Sequence, residues 1–101
     1  MPKYVMLSTL GPDGFARLRE NPERIHEVTH EVEAMGVKVL HQYALLGTYD
    51  FINIIEAPDD VTMSRVATTL ASRGTMKTHT FSAIEVDDFI AGLGNRLNGS
   101  P

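Results

Sequence analysis

The chain has 101 residues, of which 43% are hydrophobic and 22% charged, a composition typical of one folded domain with a modest core. It carries 9 basic and 13 acidic residues, a net charge of -4, and its basic residues form no run. We therefore expect no nucleic-acid partner and no membrane partner, because both favour clustered basic side chains. There is no cysteine, which excludes disulfides, thiolate metal sites and thiol nucleophiles. The opening residues lack the apolar segment of a signal peptide, so a cytoplasmic location is expected.

The first half of the chain predicts a strand followed by a helix. Residues 3–10 are rich in apolar and β-branched residues and meet the turn signal GPDG, which favours a strand. Residues 15–20 are expected to form a helical turn or a short helix. A longer helix is predicted over 22–35, with Asn21 as its N-cap and Gly36 as its left-handed end. Its apolar stripe consists of Ile25, Val28, Val32 and Met35.

The second half predicts a hairpin, a helix, a strand and a last short helix. Residues 37–47 and 50–57 are β-rich runs separated by a short break, which indicates an antiparallel hairpin. Asp59 or Asp60 caps the next helix, whose inner stripe ends before Gly74. That stripe consists of Met63, Val66, Ala67 and Leu70. A fourth strand over 75–86 and a short helix beginning at Asp87 follow.

This order of elements, β-α-β-β-α-β, predicts an α+β fold of the ferredoxin-like kind. We expect a four-stranded antiparallel sheet with two helices on one face, and a short C-terminal helix. The predicted domain covers residues 1–94, and the polar residues 95–101 are expected to form a flexible tail.

The hairpin strands predict a second copy of the chain as a partner. By parity, Val37, Val39, His41, Tyr43 and Leu45 share one sheet face, and Leu40, Gln42, Ala44 and Leu46 share the other. Neither face is plainly polar, whereas a sheet covered on one side shows apolar and polar residues in alternation. Two small helices cover one face only. We therefore expect a homodimer or a higher homo-oligomer, with the uncovered faces packed together.

The stretch LLGTYDFINIIEAPDD, residues 45–60, resembles the signature of the GYD domain family, with Gly47, Thr48, Tyr49 and Asp50 in the naming motif. The later stretch RGTMKTHTFSAIE, residues 73–85, is also similar to the family. The resemblance covers residues 3–90 and implies a dimeric α+β barrel. It brings no mechanism, because relatives of this barrel type include both enzymes and non-catalytic modules, so any transfer of activity is a fold-level analogy.

Five residues are candidates for ligand binding. His41 and Tyr43 share a strand face, and a hairpin turning on Thr48 and Tyr49 would put His41 opposite Glu56, as a proton relay or a structural contact. Tyr49 would wall a pocket or pack against a neighbouring subunit, and Asp50 is expected to stabilise the turn through backbone amides. His79 on the fourth strand completes the set, as a ligand-binding or structural residue.

Residues 26–30, HEVTH, match the His-Glu-x-x-His pattern of zinc metalloproteases. A zinc site needs both histidines to face a cleft that holds a third ligand. The apolar stripe of the predicted helix places His26 and His30 on the opposite, solvent-facing side. We therefore interpret His26, Glu27 and His30 as a chance match and expect no metal.

The preferred hypothesis is a homo-oligomeric module that binds a small molecule or serves in assembly without catalysis. Its binding pocket would lie between sheet and helices or at the dimer interface. The alternative is a small cofactor-free or haem-handling oxygenase or isomerase of the dimeric-barrel type, with His41, Tyr43 and His79 as its polar groups. No cofactor is expected in the preferred reading, and the residues leave open whether the chain is an enzyme.

Overall fold

A computed structural model describes the backbone of residues 1–97 and the side chains of residues 1–94. The elements in chain order are β1 (Lys3–Leu10), α1 (Pro12–Glu20), α2 (Arg24–Glu33), β2 (Lys38–Ala44), β3 (Phe51–Glu56), α3 (Asp60–Ala71), β4 (Met76–Ala83) and α4 (Val86–Leu97). The four strands form one antiparallel sheet in the order β2-β3-β1-β4. This arrangement confirms the predicted α+β, ferredoxin-like fold. Within residues 1–97, none of the helices combines the length and the apolar content that a bilayer crossing needs.

The helix α3 begins and ends as its sequence predicts. The Asp59 carboxylate accepts a hydrogen bond of 2.8 Å from the backbone amide of Thr62, which caps the helix. Hydrogen bonding from Thr62, first by its side chain and then by this amide, holds the pKa of Asp59 below its usual value. After the last turn, Gly74 has a φ of 72°, the left-handed conformation that glycine adopts without strain.

The predicted cap of the longer helix is wrong. Asn21 ends α1, and its carbonyl accepts the backbone amide of Arg24 in a tight turn before α2. The residue before α2 is Glu23, which caps with no side-chain hydrogen bond. The residues preceding Asn21 form a full helix of their own, α1, so this turn joins two helices and α2 begins at Arg24, two residues later than predicted.

The hydrophobic core lies between one face of the sheet and the helices α2 and α3. Tyr4 and Met6 of β1 and Ile55 of β3 point to this side and are buried. They pack with Val32 of α2 and with Met63, Val66 and Leu70 of α3. The predicted apolar stripes of both helices therefore face the sheet from the same side, as expected.

The strand β2 contains a β-bulge that overturns the predicted division of its faces. Val39 pairs with Ile55 and His41 pairs with Ile54, so Leu40 is an extra residue between them. Val39 consequently lies on the helix side with the core, while His41 lies on the opposite side. Simple alternation assigned both residues to one face, because it assumes a strand without insertions.

The opposite face of the sheet is apolar and has no helix over it in the described chain. Its central residues are Val5 and Leu7 of β1 and Ile52 and Ile54 of β3, all half-buried, and Phe81 of β4, which is 53% exposed. The side of the sheet that has these residues at its centre is called the open sheet face below. A sheet of four strands with one helix layer leaves such a face to be covered from outside the chain.

The last helix, α4, also has an apolar side without a partner among the described residues. Phe89, Ile90 and Leu93 are each about half exposed, at 54%, 57% and 47%. The molecule is 58 Å long with a radius of gyration of 16.3 Å, above the roughly 13 Å of a compact chain of this length. The helix continues to Leu97, so it includes the first part of the predicted tail, and residues 98–101 lie outside the described chain.

Candidate functional site

A cavity of about 680 Å³ lies between the helix layer and the sheet. It is lined by residues of α1, α2, α3, β1, β2 and β3, by the loop after α3 and by the first residue of β4. Its floor is apolar and consists mainly of core residues, among them Met6, Ile55, Val66 and Leu70. Small-molecule sites commonly have volumes of roughly 300–1,000 Å³ and predominantly apolar walls, so this cavity has the size and lining of a ligand site.

One wall of the cavity carries a chain of polar side chains. The Gln42 amide nitrogen donates to the Thr29 hydroxyl at 3.0 Å and to the Asn53 side-chain oxygen at 2.9 Å. The Thr29 hydroxyl also donates to the Ile25 carbonyl at 2.9 Å, which anchors it to α2. These bonds connect α2, β2 and β3 across the cavity wall. They place amide and hydroxyl groups beside an otherwise apolar space.

Three arginines line the cavity from three different elements. Arg17 comes from α1, Arg24 from the start of α2, and Arg73 from the segment after α3. Arg24 contacts the Glu31 carboxylate at 3.2 Å, and Arg73 forms a hydrogen-bonded ion pair with the same carboxylate. The hydrogen bond from Arg73 is the main reason that the pKa of Glu31 lies below its usual value. Glu31 thus holds two guanidinium groups at the cavity wall.

The close approach of α1 to the start of β4 shapes one end of the cavity. Gly14 is buried, and a Cβ added to it would stand 2.6 Å from the Thr75 carbonyl oxygen. The backbone amide of Gly11 donates to the same carbonyl at 3.0 Å. A glycine is therefore needed where α1 crosses this loop, and that crossing carries Arg17 to the cavity.

The candidate pair His41 and Tyr43 lies on the open sheet face. His41 pairs with Ile54, and Lys38 stands opposite Glu56, so the predicted pairing of His41 with Glu56 is wrong. The predicted turn was placed about one residue too late, because Leu45 and Asp50 close a longer loop with a 2.8 Å backbone bond. Both His41 and Tyr43 are exposed in the single chain. Part of Tyr43 also borders the cavity.

The candidates Tyr49 and His79 are in contact with each other. Their ring centroids are 5.7 Å apart with the planes at 76°, an edge-to-face arrangement. His79 lies on β4 beside Leu7, at the other edge of the sheet from β2. Three strand spacings of about 4.8 Å, roughly 14 Å, separate β4 from β2. The structure therefore does not bring His79 together with His41 and Tyr43 within one chain.

Asp50 connects the hairpin to β1. Its carboxylate accepts a 2.8 Å hydrogen bond from the backbone amide of Leu10, and its own amide donates to the Ser8 carbonyl at 2.8 Å. Gly47, two residues before Tyr49, has a φ of 137° that favours glycine. The motif Gly47 to Asp50 thus fixes the loop against the ends of β1 and β4. The backbone bonding expected of Asp50 is present, and it reaches a distant strand rather than the turn itself.

The HEVTH segment lies on α2 with both histidines exposed, as its helical phase predicts. The His26 imidazole is 3.9 Å from the Glu23 carboxylate, and part of His26 borders the mouth of the cavity. Among the residues that the structure describes, no group of three or more His, Cys, Asp or Glu is placed to hold a metal ion.

Sequence reasoning missed the cavity arginines because no local pattern connects them. Arg17, Arg24 and Arg73 come from separate elements, and only the packing of those elements brings them to one wall. The predicted pocket between sheet and helices was the one available signal. It indicated a pocket in this region without the residues that line it.

The chain matches the GYD domain family over residues 4–93. It is similar to the Thermus thermophilus protein named "Glutamine synthetase and cystathionine beta-lyase binding protein", with 53% identity over 94 residues, 92% of this chain and 99% of the relative.

Two solved structures share the fold at low identity. The Thermus thermophilus protein TTHA0845 is 17% identical with a TM-score of 0.56, covering 84% of this chain and 95% of that one. A hypothetical protein from Pyrococcus horikoshii is 23% identical with a TM-score of 0.55, covering 84% and 92%. The match to the family extends over nearly all of the described chain and includes the Gly47 to Asp50 loop, and the chain therefore belongs to the GYD domain family.

Proposed function

We propose that this chain is a non-catalytic interaction module that binds metabolic enzymes of the glutamine synthetase or cystathionine beta-lyase kind. The single observation that carries the proposal is the 53% identity to a relative named for binding those two enzymes, over almost the full length of both chains. The shared length supports a counterpart, within this domain, of the surface that the relative uses. A cytoplasmic location, beside such enzymes, is part of the proposal.

The uncovered apolar surfaces support a homodimer as the working unit. The open sheet face and the apolar side of α4 are both present on one small chain. Packing two open sheet faces together at about 10 Å would remove both from water. The side of α4 formed by Phe89, Ile90 and Leu93 then covers part of the neighbouring subunit. In such a dimer, His41, Tyr43 and His79 of each chain border the interface.

The cavity supports a ligand-binding role beside the protein-binding role. It is lined mainly by apolar groups with a few polar ones, which is the lining expected for small-molecule binding. A ligand held between α2 and the sheet would alter the helix layer that partner enzymes can reach. The module would in this way report the level of a metabolite to an enzyme.

The enzyme-binding proposal is tested with purified components. Glutamine synthetase and cystathionine beta-lyase from the source organism are each titrated with this chain in a calorimeter, and mixtures are run on a sizing column. The Thermus thermophilus relative with its own two enzymes serves as the positive control. We expect saturable binding to at least one enzyme and co-elution with it. If both enzymes fail to bind while the relative binds its own, the proposal is wrong.

A further inference from the structure

We propose that the cavity between the helices and the sheet selects a small monoanion, a carboxylate carried on an apolar body. The inference deepens the proposed ligand role of the cavity and rests on it. It adds the chemical class of the ligand and the side chains that recognise its charge. These side chains are Arg17, Arg24 and Arg73.

The charge of the cavity wall is opposite to the charge of the chain. The sequence has more acidic than basic residues, with a net charge of -4. The cavity is nevertheless lined by three positive side chains, Arg17, Arg24 and Arg73, and among the residues that the structure describes no aspartate or glutamate lines it. Half of the six arginines in the sequence thus converge on one space. Positive side chains around an apolar space favour a ligand with a negative head group.

The ion pairs around the cavity set the charge of that ligand. Arg24 contacts Glu27 at 3.3 Å and Glu31 at 3.2 Å, and Arg73 pairs with Glu31. With Arg17 included, three guanidinium groups lie at this wall, and two of them are paired with the carboxylates of Glu27 and Glu31. One positive charge is left in excess. Each guanidinium has five N–H donors, so donors remain for a ligand after the glutamates are bound. A monoanion balances this wall, and a dianion would exceed it.

The apolar floor of the cavity favours an apolar ligand body, whereas the polar groups of the cavity lie on its walls. The floor formed by Met6, Ile55, Val66 and Leu70 has no hydrogen-bonding side chain. Burying a polar body there would lose its hydrogen bonds to water, while an apolar body gains from leaving water. The 680 Å³ space accommodates a medium-length acyl chain or an aromatic ring with a short linker.

The test compares acids with the alcohols that match them in shape. Octanoate and octanol, and phenylpropanoate and phenylpropanol, are titrated into the full chain by calorimetry. Binding is located by NMR of isotope-labelled methionine methyl groups. Met6 and Met76 line the cavity, whereas Met63 is in the core without lining it and Met1 is exposed at the start of the chain. We expect at least one acid to bind about tenfold more tightly than its alcohol, and to shift Met6 and Met76 most.

Substitutions of Arg17 and Arg73 distinguish recognition by the cavity wall from a general effect of the positive charge of the protein. Arg17→Gln and Arg73→Gln should each weaken binding of the acid about tenfold and leave binding of the alcohol unchanged. Arg19→Gln, two residues from Arg17 on α1 and outside the lining, is the matched control and should change neither. Thermal melting of each variant shows whether it is folded. If the Arg73 variant does not fold, the Arg17 variant alone tests whether the cavity arginines recognise the charge of the acid.

Three results would overturn the inference, and they are distinct from failure of the enzyme-binding proposal. Equal binding of acid and alcohol at Met6 and Met76 would keep the cavity as a ligand site and remove its charge selectivity. No binding of any probe would remove the ligand role as well. If the NMR signals of the Met6 and Met76 methyl groups shift with protein concentration, and not when a probe is added, a second chain fills the cavity. None of these results bears on the titrations with the two enzymes.

Discussion

Asp50 is the residue that ties the hairpin to the first strand, and its removal should cost stability. Asp50→Ala leaves the backbone amide of Leu10 without its 2.8 Å carboxylate partner. We expect a loss of about 1.5–3 kcal/mol in the free energy of unfolding, the range for a hydrogen bond to a charged group. Urea unfolding at neutral pH measures it. Asp13→Ala, an exposed carboxylate in the first turn of α1, is the control and should lose less than about 1 kcal/mol.

Tyr4 makes the stability of the protein sensitive to alkaline pH. Its hydroxyl donates a 2.5 Å hydrogen bond to Asp60, and this bond, with burial and the nearby carboxylates, raises the pKa of Tyr4 from 10.0 to about 12. The folded chain therefore keeps this proton where the unfolded chain loses it. The contribution is fully present below pH 10 and disappears as the pH rises from 10 to 12.

Tyr4→Phe tests this pH dependence. The variant should be less stable than the wild type at neutral pH, and the difference should shrink between pH 10 and 12. Denaturant unfolding across that range measures both curves. Tyr43→Phe removes the hydroxyl of an exposed tyrosine on β2 and is the control. Its free energy of unfolding should change with pH as that of the wild type does. A difference between Tyr4→Phe and wild type that is constant with pH would contradict the assigned role of the Tyr4–Asp60 bond.

At the scale of elements, the packing of α1 depends on a glycine. Gly14→Ala puts a Cβ 2.6 Å from the Thr75 carbonyl oxygen, a backbone atom that cannot swing aside. The strain should exceed the gain in helix propensity, for a net loss of about 1–2 kcal/mol in the free energy of unfolding. Gly92→Ala in α4 meets no atom within 4 Å, so it should keep or raise helicity. Circular dichroism during thermal unfolding compares the two variants.

The sequence predicted the element types because helix and strand periods are local properties. Nearby residues were enough to predict the apolar stripes of α2 and α3, the Asp59 cap and the left-handed glycines. The bulge at Leu40 was not, because an inserted residue leaves the hydrophobic pattern almost unchanged. One bulge moved Val39 and His41 to opposite faces, and the position of the hairpin turn, one residue earlier than predicted, placed Ile54 and not Glu56 opposite His41. The cavity arginines were hidden for a related reason, since tertiary packing alone brings three elements together.

At the scale of the whole molecule, the folded chain leaves two apolar surfaces in water. The open sheet face includes Phe81 at 53% exposure, and α4 adds Phe89, Ile90 and Leu93 at about half exposure. Large exposed apolar surfaces are uncommon on monomers and often belong to interfaces. We therefore propose that a second copy of the chain packs against these surfaces. In this proposal, partner enzymes bind the outer surfaces of the dimer.

A charge on the open sheet face should separate the subunits. Ile54→Lys puts an ammonium group at the centre of that face, where pairing in the dimer would bury it without a partner. The variant should sediment as a single chain at concentrations where the wild type is dimeric. Val61→Lys changes an apolar residue that is 76% exposed on α3 and should leave the dimer intact.

Sedimentation velocity of the unmodified chain at micromolar concentration, with circular dichroism on the same sample, is the direct test of the proposed homo-oligomer. We expect a folded species with twice the 11.1 kDa mass of one chain, or a higher multiple. A stable, fully folded species with the mass of one chain would contradict it. The open sheet face would then be a surface that water covers, and the dimeric module proposed here would be wrong.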